Sequence, residues 1–190
     1  MTTIAKQDGF CVLADAQMLE EWKMRRGFYS GVRSCDAERE DGMDLDGVLQ
    51  REYRNWYARL LREAPVEMLP VEDVAGECTA SVDSRCVVTI SLPGRCIRPL
   101  SVRLEGWQQA VSRFAEPDSA EADAQRSEWT QAGTERPVVV AGPHSLTAYS
   151  APSADSVTVD CLLAVCEPVD GTFRFREDAW LQFPGYFELA

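Results

Sequence analysis

The chain has 190 residues, 45% hydrophobic and 26% charged, which is typical of a folded protein with one domain, or one core with an appendage. Its formal net charge of −12 argues against direct sequence-specific binding to nucleic acid, because a duplex attracts clustered Lys and Arg. The sequence shows neither a run of about eighteen apolar residues nor an apolar stretch near Met1, so we expect no membrane span, no secretory signal and a cytoplasmic location.

The amino-terminal third predicts helices. Residues 14–26 form a moderately amphipathic segment, and residues 30–44 form a polar loop. The strongest pattern follows at residues 45–64, where apolar and aromatic side chains recur at steps of three and four, as on one face of a helix. Asp44 is suited to cap this helix and Pro65 to end it. Its opposite face carries Arg51, Glu52, Arg54, Arg59 and Arg62.

From about residue 78 the hydrophobic pattern alternates, which predicts strands at residues 86–92, 100–104 and 157–165. Shorter candidates at 138–141 and 146–149 are joined by the turn sequence Gly-Pro-His-Ser. We therefore predict a three-stranded antiparallel meander over residues 137–166.

These patterns predict an α+β fold, with N-terminal helices followed by an antiparallel β-barrel or β-sandwich-like sheet. The predicted organisation is a helical part at 1–70 and a β-rich part at 71–190. The β-rich part includes a short helical insertion near 117–129 and an aromatic C-terminal tail. A single compact unit is the alternative.

Aromatic side chains on the long helix and in the C-terminal tail are the predicted protein-contact site, because a wide aromatic stripe must pack either on its own core or on a neighbouring subunit. The candidates are Tyr53, Trp56, Tyr57, Trp180, Phe183, Tyr186 and Phe187. Trp107 and Trp129 are two further aromatic residues that could lie at the surface or in the core.

The sequence contains no recognisable catalytic, cofactor or metal motif. The seven cysteines are odd in number and lack a Cys-x-x-Cys pair, so we interpret them as reduced and buried. His144 is the single histidine, which disfavours a Cys–His nucleophile pair and a zinc site. Asp41, Asp44 and Asp46 do not fit the spacing of a calcium loop. We predict no cofactor, no metal and no catalysis.

One order of short motifs resembles the head-to-tail adaptor (connector) proteins of tailed bacteriophages, as found in prophage regions of bacterial genomes. The resemblance spans residues 45–166. Its motifs are DLDGVL at 44–49, REAP at 62–65, VTISLP at 88–93, LSVRLEGW at 100–107, GTERPV at 133–138 and LTAYS at 146–150.

The resemblance implies a helical part joined to a β-rich part, and a homo-oligomeric ring beneath the portal of the capsid. The implied partners are the portal or other head–tail proteins, and the implied location is the virion. DNA passes through such a ring, and an acidic protein there would repel the duplex. Helical adaptors often end in a further helix, whereas residues 171–190 are aromatic and interrupted by Pro184 and Gly185.

Two other functions stay open from the residues alone. The chain could be a small protein-binding module unrelated to phage, with the β-rich part as its recognition surface. It could also be an enzyme with an unrecognised cysteine or carboxylate site.

Overall fold

The computed structural model describes residues 5–7, 9–27, 44–127, 129–153 and 156–183. It confirms the predicted α+β class, since helices are combined with antiparallel strand pairs. Short 3-10 helices lie at Val66–Met68 and Ala75–Glu77. The other elements, in chain order, are β1 (Ala5–Gln7), β2 (Phe10–Leu13), α1 (Asp15–Arg25), α2 (Leu45–Glu63), β3 (Val71–Asp73), β4 (Thr79–Val82), β5 (Val88–Ser91), β6 (Cys96–Leu104), α3 (Ala120–Gln125), β7 (Val139–Ala141), β8 (Ser145–Ala148), β9 (Val159–Cys166), β10 (Phe173–Phe175) and α4 (Ala179–Gln182).

The chain divides into two compact units, and the first is built from both ends of the sequence. Unit 1 comprises Met1–Pro70 and Glu167–Ala190, and unit 2 comprises Val71–Cys166. The C-terminal tail was predicted to belong to the β-rich part, whereas the structure places β10 and α4 in unit 1. The reason is a long-range strand pairing, because β10 lies antiparallel to β2 with Phe173 opposite Leu13.

Unit 1 consists of a three-stranded sheet, in the order β1-β2-β10, together with α1, α2 and α4. The predicted boundaries of the long helix are confirmed: the Asp44 side chain accepts the Gly47 N–H at 3.0 Å, and the helix ends before Pro65. Ion pairs join α1 to α2, with Lys23 lying 2.8 Å from Asp46 and Arg26 lying 2.7 Å from Glu52.

Unit 2 contains two sheets, in the orders β3-β9-β6 and β4-β5-β8-β7. Side chains of both sheets pack into one hydrophobic core, so the arrangement is sandwich-like, and the described strands form open sheets without closing into a barrel. The fully buried members of this core are Val74, Val88, Ile90, Val102, Leu104, Val139, Leu146, Ala148, Leu162 and Ala164.

The predicted meander over residues 137–166 is wrong in its third strand. β7 and β8 do form an antiparallel hairpin, but the other neighbour of β8 is β5. β9 lies in the other sheet, between β3 and β6. The alternating pattern of residues 157–165 correctly predicted a strand. Both sheets have an apolar face on the same core, so the pattern alone did not determine which strands β9 would pair with.

Asp73 connects β3 to the middle of β9. Its carboxylate accepts the N–H groups of Leu162 and Ala75, each at 3.0 Å. These two hydrogen bonds hold the pKa of Asp73 below its ordinary value of 3.8, because they favour the charged form. The side chain therefore supports the strand pairing as a carboxylate.

The remaining predicted helix is short. Ser119 caps α3 by accepting the Ala122 N–H at 3.2 Å, within the insertion predicted near residues 117–129. Within the described part of the chain, no helix has both the length and the apolar character needed to cross a bilayer. Of the polar loop predicted at residues 30–44, residues 30–43 lie outside the described part of the chain.

Candidate protein-contact site

Most of the aromatic residues predicted to contact a partner form the core of unit 1. Tyr53 and Trp56 are fully buried, and Tyr57 and Trp180 are at most 6% exposed. The Trp56 and Trp180 rings are stacked, with centroids 4.7 Å apart and planes at 5°. Phe175 meets both indoles edge-on, at 5.2 and 5.0 Å. Of the two roles foreseen for the aromatic stripe, packing on its own core is the one observed.

The two tyrosine hydroxyls of this core have polar partners. The Tyr53 hydroxyl donates to Asp15 Oδ1 at 2.8 Å, and the Tyr57 hydroxyl donates to the Arg174 carbonyl at 3.3 Å while accepting the Arg174 N–H at 3.1 Å. Burial is the main cause that raises the pKa of each tyrosine to about 12. Both hydroxyls therefore stay protonated at neutral pH and act as structural hydrogen-bond donors.

The three other predicted contact residues lie at the end of the chain. Phe183 is half-buried, its carbonyl accepts the Trp56 indole N–H at 3.1 Å, and the Arg59 guanidinium lies 5.7 Å from its ring centroid. Tyr186 and Phe187 lie outside the described residues. Among the described candidates, only Phe183 keeps part of its ring at the surface of the protein.

The outer face of α2 is a row of arginines on an otherwise acidic chain. Arg51, Arg54 and Arg62 are exposed, and Arg59 is partly exposed and pairs with Glu63 at 2.8 Å. We call these four residues the arginine face. Arg54 also pairs with Asp15 at 3.0 Å. The sequence pattern places these residues on the polar side of the helix and does not by itself assign them to a contact. The available signal was a positively charged helix face on a chain of net charge −12.

Trp129 is the most exposed large hydrophobic residue that the structure describes. It is 96% exposed, whereas Trp107 is 6% exposed and donates its indole N–H to the Ser150 carbonyl at 2.9 Å. The two tryptophans that sequence analysis left undecided thus have opposite environments. An isolated exposed tryptophan has a large apolar area available to a partner.

His144 and the described cysteines have different environments. His144 is exposed in the turn between β7 and β8. None of the described cysteines is in a disulfide; Cys11 and Cys166 are buried and the others are partly buried, while Cys35 lies outside the described residues. No group of three or more His, Cys, Asp or Glu side chains in the described residues could hold a metal ion.

Comparison with known proteins gives no relative for this chain. It matches no protein-family model, no curated protein and no solved structure.

Proposed function

We propose that this chain is a structural protein of a phage or prophage particle, a head-to-tail adaptor that docks onto the portal or other head–tail proteins as part of a homo-oligomeric ring. The order of motifs between residues 44 and 150 supports this proposal. The observation that carries it is the arginine face of α2 on a chain of net charge −12.

Charge complementarity favours a second copy of the chain as the occupant of the arginine face. Copies with a charge of −12 repel one another unless a local contact joins opposite charges. A contact between the arginine face of one copy and an acidic surface of the next uses different surfaces on the two copies. Such a heterologous contact closes into a ring when its rotation permits.

Reversing two exposed arginines should therefore weaken assembly. In the double variant Arg51→Glu and Arg62→Glu, like charges replace opposite charges at the contact, so we expect association to weaken at least about tenfold. Native mass spectrometry and sedimentation velocity would measure this, and raising the salt from about 50 mM to about 0.5 M should dissociate the wild-type ring in the same way.

The matched control is the double variant Arg113→Glu and Arg126→Glu. It changes the net charge by the same amount at two exposed arginines outside α2, and it should still assemble. A wild-type chain that stays monomeric at low salt, or a control that dissociates as fully as the α2 variant, would contradict the ring contact.

Membership in a particle needs a separate experiment. Phage-like particles induced from the source organism should contain this chain in a fixed ratio to the capsid protein, at a few copies per particle, as measured by quantitative mass spectrometry. Its absence from particles that hold portal and tail proteins would contradict the adaptor proposal, whatever the oligomeric state of the isolated chain.

A protein-binding module is the second candidate, and the exposure of Trp129 favours it. Buried tryptophans at interfaces are frequent hot spots, and this one is available in unit 2. On this hypothesis the isolated chain is a monomer and the arginine variants behave like the wild type. The oligomer measurement therefore separates the two candidates.

A further inference from the structure

Two cysteines of unit 2 face each other across adjacent antiparallel strands. Cys96 is the first residue of β6, Cys166 is the last residue of β9, and the register places them directly opposite. Opposite residues of an antiparallel pair have Cα atoms about 4.5–5.5 Å apart, within the range of about 4.4–6.8 Å that a disulfide spans. Their side chains share one face of the sheet, and both pack against the sandwich core.

We propose that Cys96 and Cys166 form a redox-active dithiol that closes to a cross-strand disulfide when the protein meets a peroxide. This inference is independent of the proposed adaptor function. The two thiols have different exposures, because Cys96 is only partly buried whereas Cys166 is 2% exposed. The oxidant therefore reaches Cys96 first, and Cys166 is the resolving residue.

The surroundings of the pair favour a thiolate at Cys96. Side-chain hydrogen bonding with Cys166, together with the nearby charge of Arg95, lowers the pKa of Cys96 against the opposing effect of burial. The same hydrogen bond and burial raise the pKa of Cys166. Arg95 is held in place by Glu72 at 2.7 Å and Glu77 at 2.5 Å.

A third cysteine lies in the same core but has a different environment. Cys78 donates its thiol hydrogen to the Val74 carbonyl at 3.2 Å, and burial raises the pKa of Cys78. It is not opposite Cys96 in the sheet, since β4 pairs with β5 and Cys78 precedes β4. The register therefore selects Cys166 as the partner.

The chemistry balances with hydrogen peroxide as the oxidant. The Cys96 thiolate attacks one peroxide oxygen, the O–O bond breaks, and Cys96 becomes a sulfenic acid as hydroxide leaves. The Cys166 sulfur then attacks the sulfenic sulfur, forming the S–S bond and breaking the S–O bond. The leaving hydroxide takes the Cys166 thiol proton and departs as water. In total two thiols and one H₂O₂ give one disulfide and two waters, so the thiols lose two electrons and the peroxide gains them.

A disulfide between Cys96 and Cys166 would link β6 and β9 at the end of their pairing. The register shifts between Cys96 and Arg98, so regular pairing is interrupted one step inside the cysteine pair. In the reduced protein, Cys96 and Cys166 are the residue pair beyond this irregularity. Oxidation joins the two strands covalently there.

Peptide mapping of the folded full-length chain tests the proposal. In a Cys161→Ser background, trypsin places Cys96 in residues 96–103 and Cys166 in residues 127–174, each as the sole cysteine of its peptide, since the bonds before Pro99 and Pro137 are not cleaved. A serine hydroxyl can replace the Cys161 thiol that hydrogen-bonds Asp73. After one equivalent of H₂O₂ and alkylation, we expect these two peptides to be joined by a disulfide.

Cys86 is the internal control, because it is also partly buried and lies alone in residues 86–95. We expect the loss of alkylation at Cys96 to exceed that at Cys86 by at least about tenfold. In Cys166→Ser, whose hydroxyl can still hydrogen-bond Cys96 but cannot form a disulfide, the sulfenic acid should persist at Cys96 and be trapped by dimedone. Joining of Cys96 to Cys78, or equal oxidation of Cys86 and Cys96 in the folded wild type, would overturn the assignment.

Discussion

Replacing Trp56 by alanine is expected to lower the free energy of unfolding of this protein by about 3–5 kcal/mol. The indole is fully buried, stacks on Trp180 at 4.7 Å and donates to the Phe183 carbonyl at 3.1 Å. Alanine removes the ring contacts, leaves a cavity between α2 and α4, and removes the donor to that carbonyl. Because the free energy of unfolding of a typical domain is only about 5–15 kcal/mol, this substitution would remove much of it.

Urea denaturation followed by circular dichroism measures this change, and Trp129→Ala is the matched control. The substitution is chemically identical, but Trp129 is 96% exposed, so the free energy of unfolding should change by less than about 0.5 kcal/mol. Equal losses in the two variants would mean that Trp56 does not occupy the core described for unit 1.

Replacing Leu162 by alanine is expected to cost about 2–5 kcal/mol of the free energy of unfolding. Leu162 is fully buried in β9, the central strand of its sheet, where its side chain packs into the core shared by both sheets of unit 2. The range reflects how far neighbours such as Val102 and Val74 collapse into the space that the side chain leaves.

The next residue in the chain provides the comparison for this variant. Leu163 points to the opposite face of β9 and is 36% exposed, so Leu163→Ala should cost less than about 1 kcal/mol. Thermal or urea denaturation of the two variants would test the direction of the β9 side chains. If Leu163→Ala were the more damaging substitution, the register of β9 described above would be wrong by one residue.

Elements with a strong local pattern were predictable from the sequence. The helix ending before Pro65 has a repeating aromatic face and a good amino-terminal cap in Asp44, and both features depend on residues close together in the chain. The same holds for the β7–β8 hairpin, whose turn residues are adjacent to the strands they join. The short strands β1, β2, β3, β4 and β10 were missed, and two of them, β3 and β10, pair with strands that lie far away in the chain, β9 and β2.

Only the tertiary structure shows whether the aromatic residues lie in a core or at a contact surface. The sequence showed that α2 and the C-terminal tail are rich in aromatic side chains, but it did not distinguish a core from a contact surface. That choice was made when β10 paired with β2, which brings Phe173 and Phe175 onto the residues of α2. Burial of Tyr53 and Trp56 in turn leaves the arginine face as the side of the helix that a partner can reach.

The sequence by itself determined the charge of the chain, its α+β class and the position and ends of its longest helix, because these depend on composition and on contacts between near neighbours. Only the tertiary structure decided that both ends of the chain build unit 1, that β9 lies between β3 and β6, and that Cys96 faces Cys166. Each of these is a pairing between residues far apart in the chain. Many pairings satisfy the same local pattern, and the shared burial of a whole core selects among them.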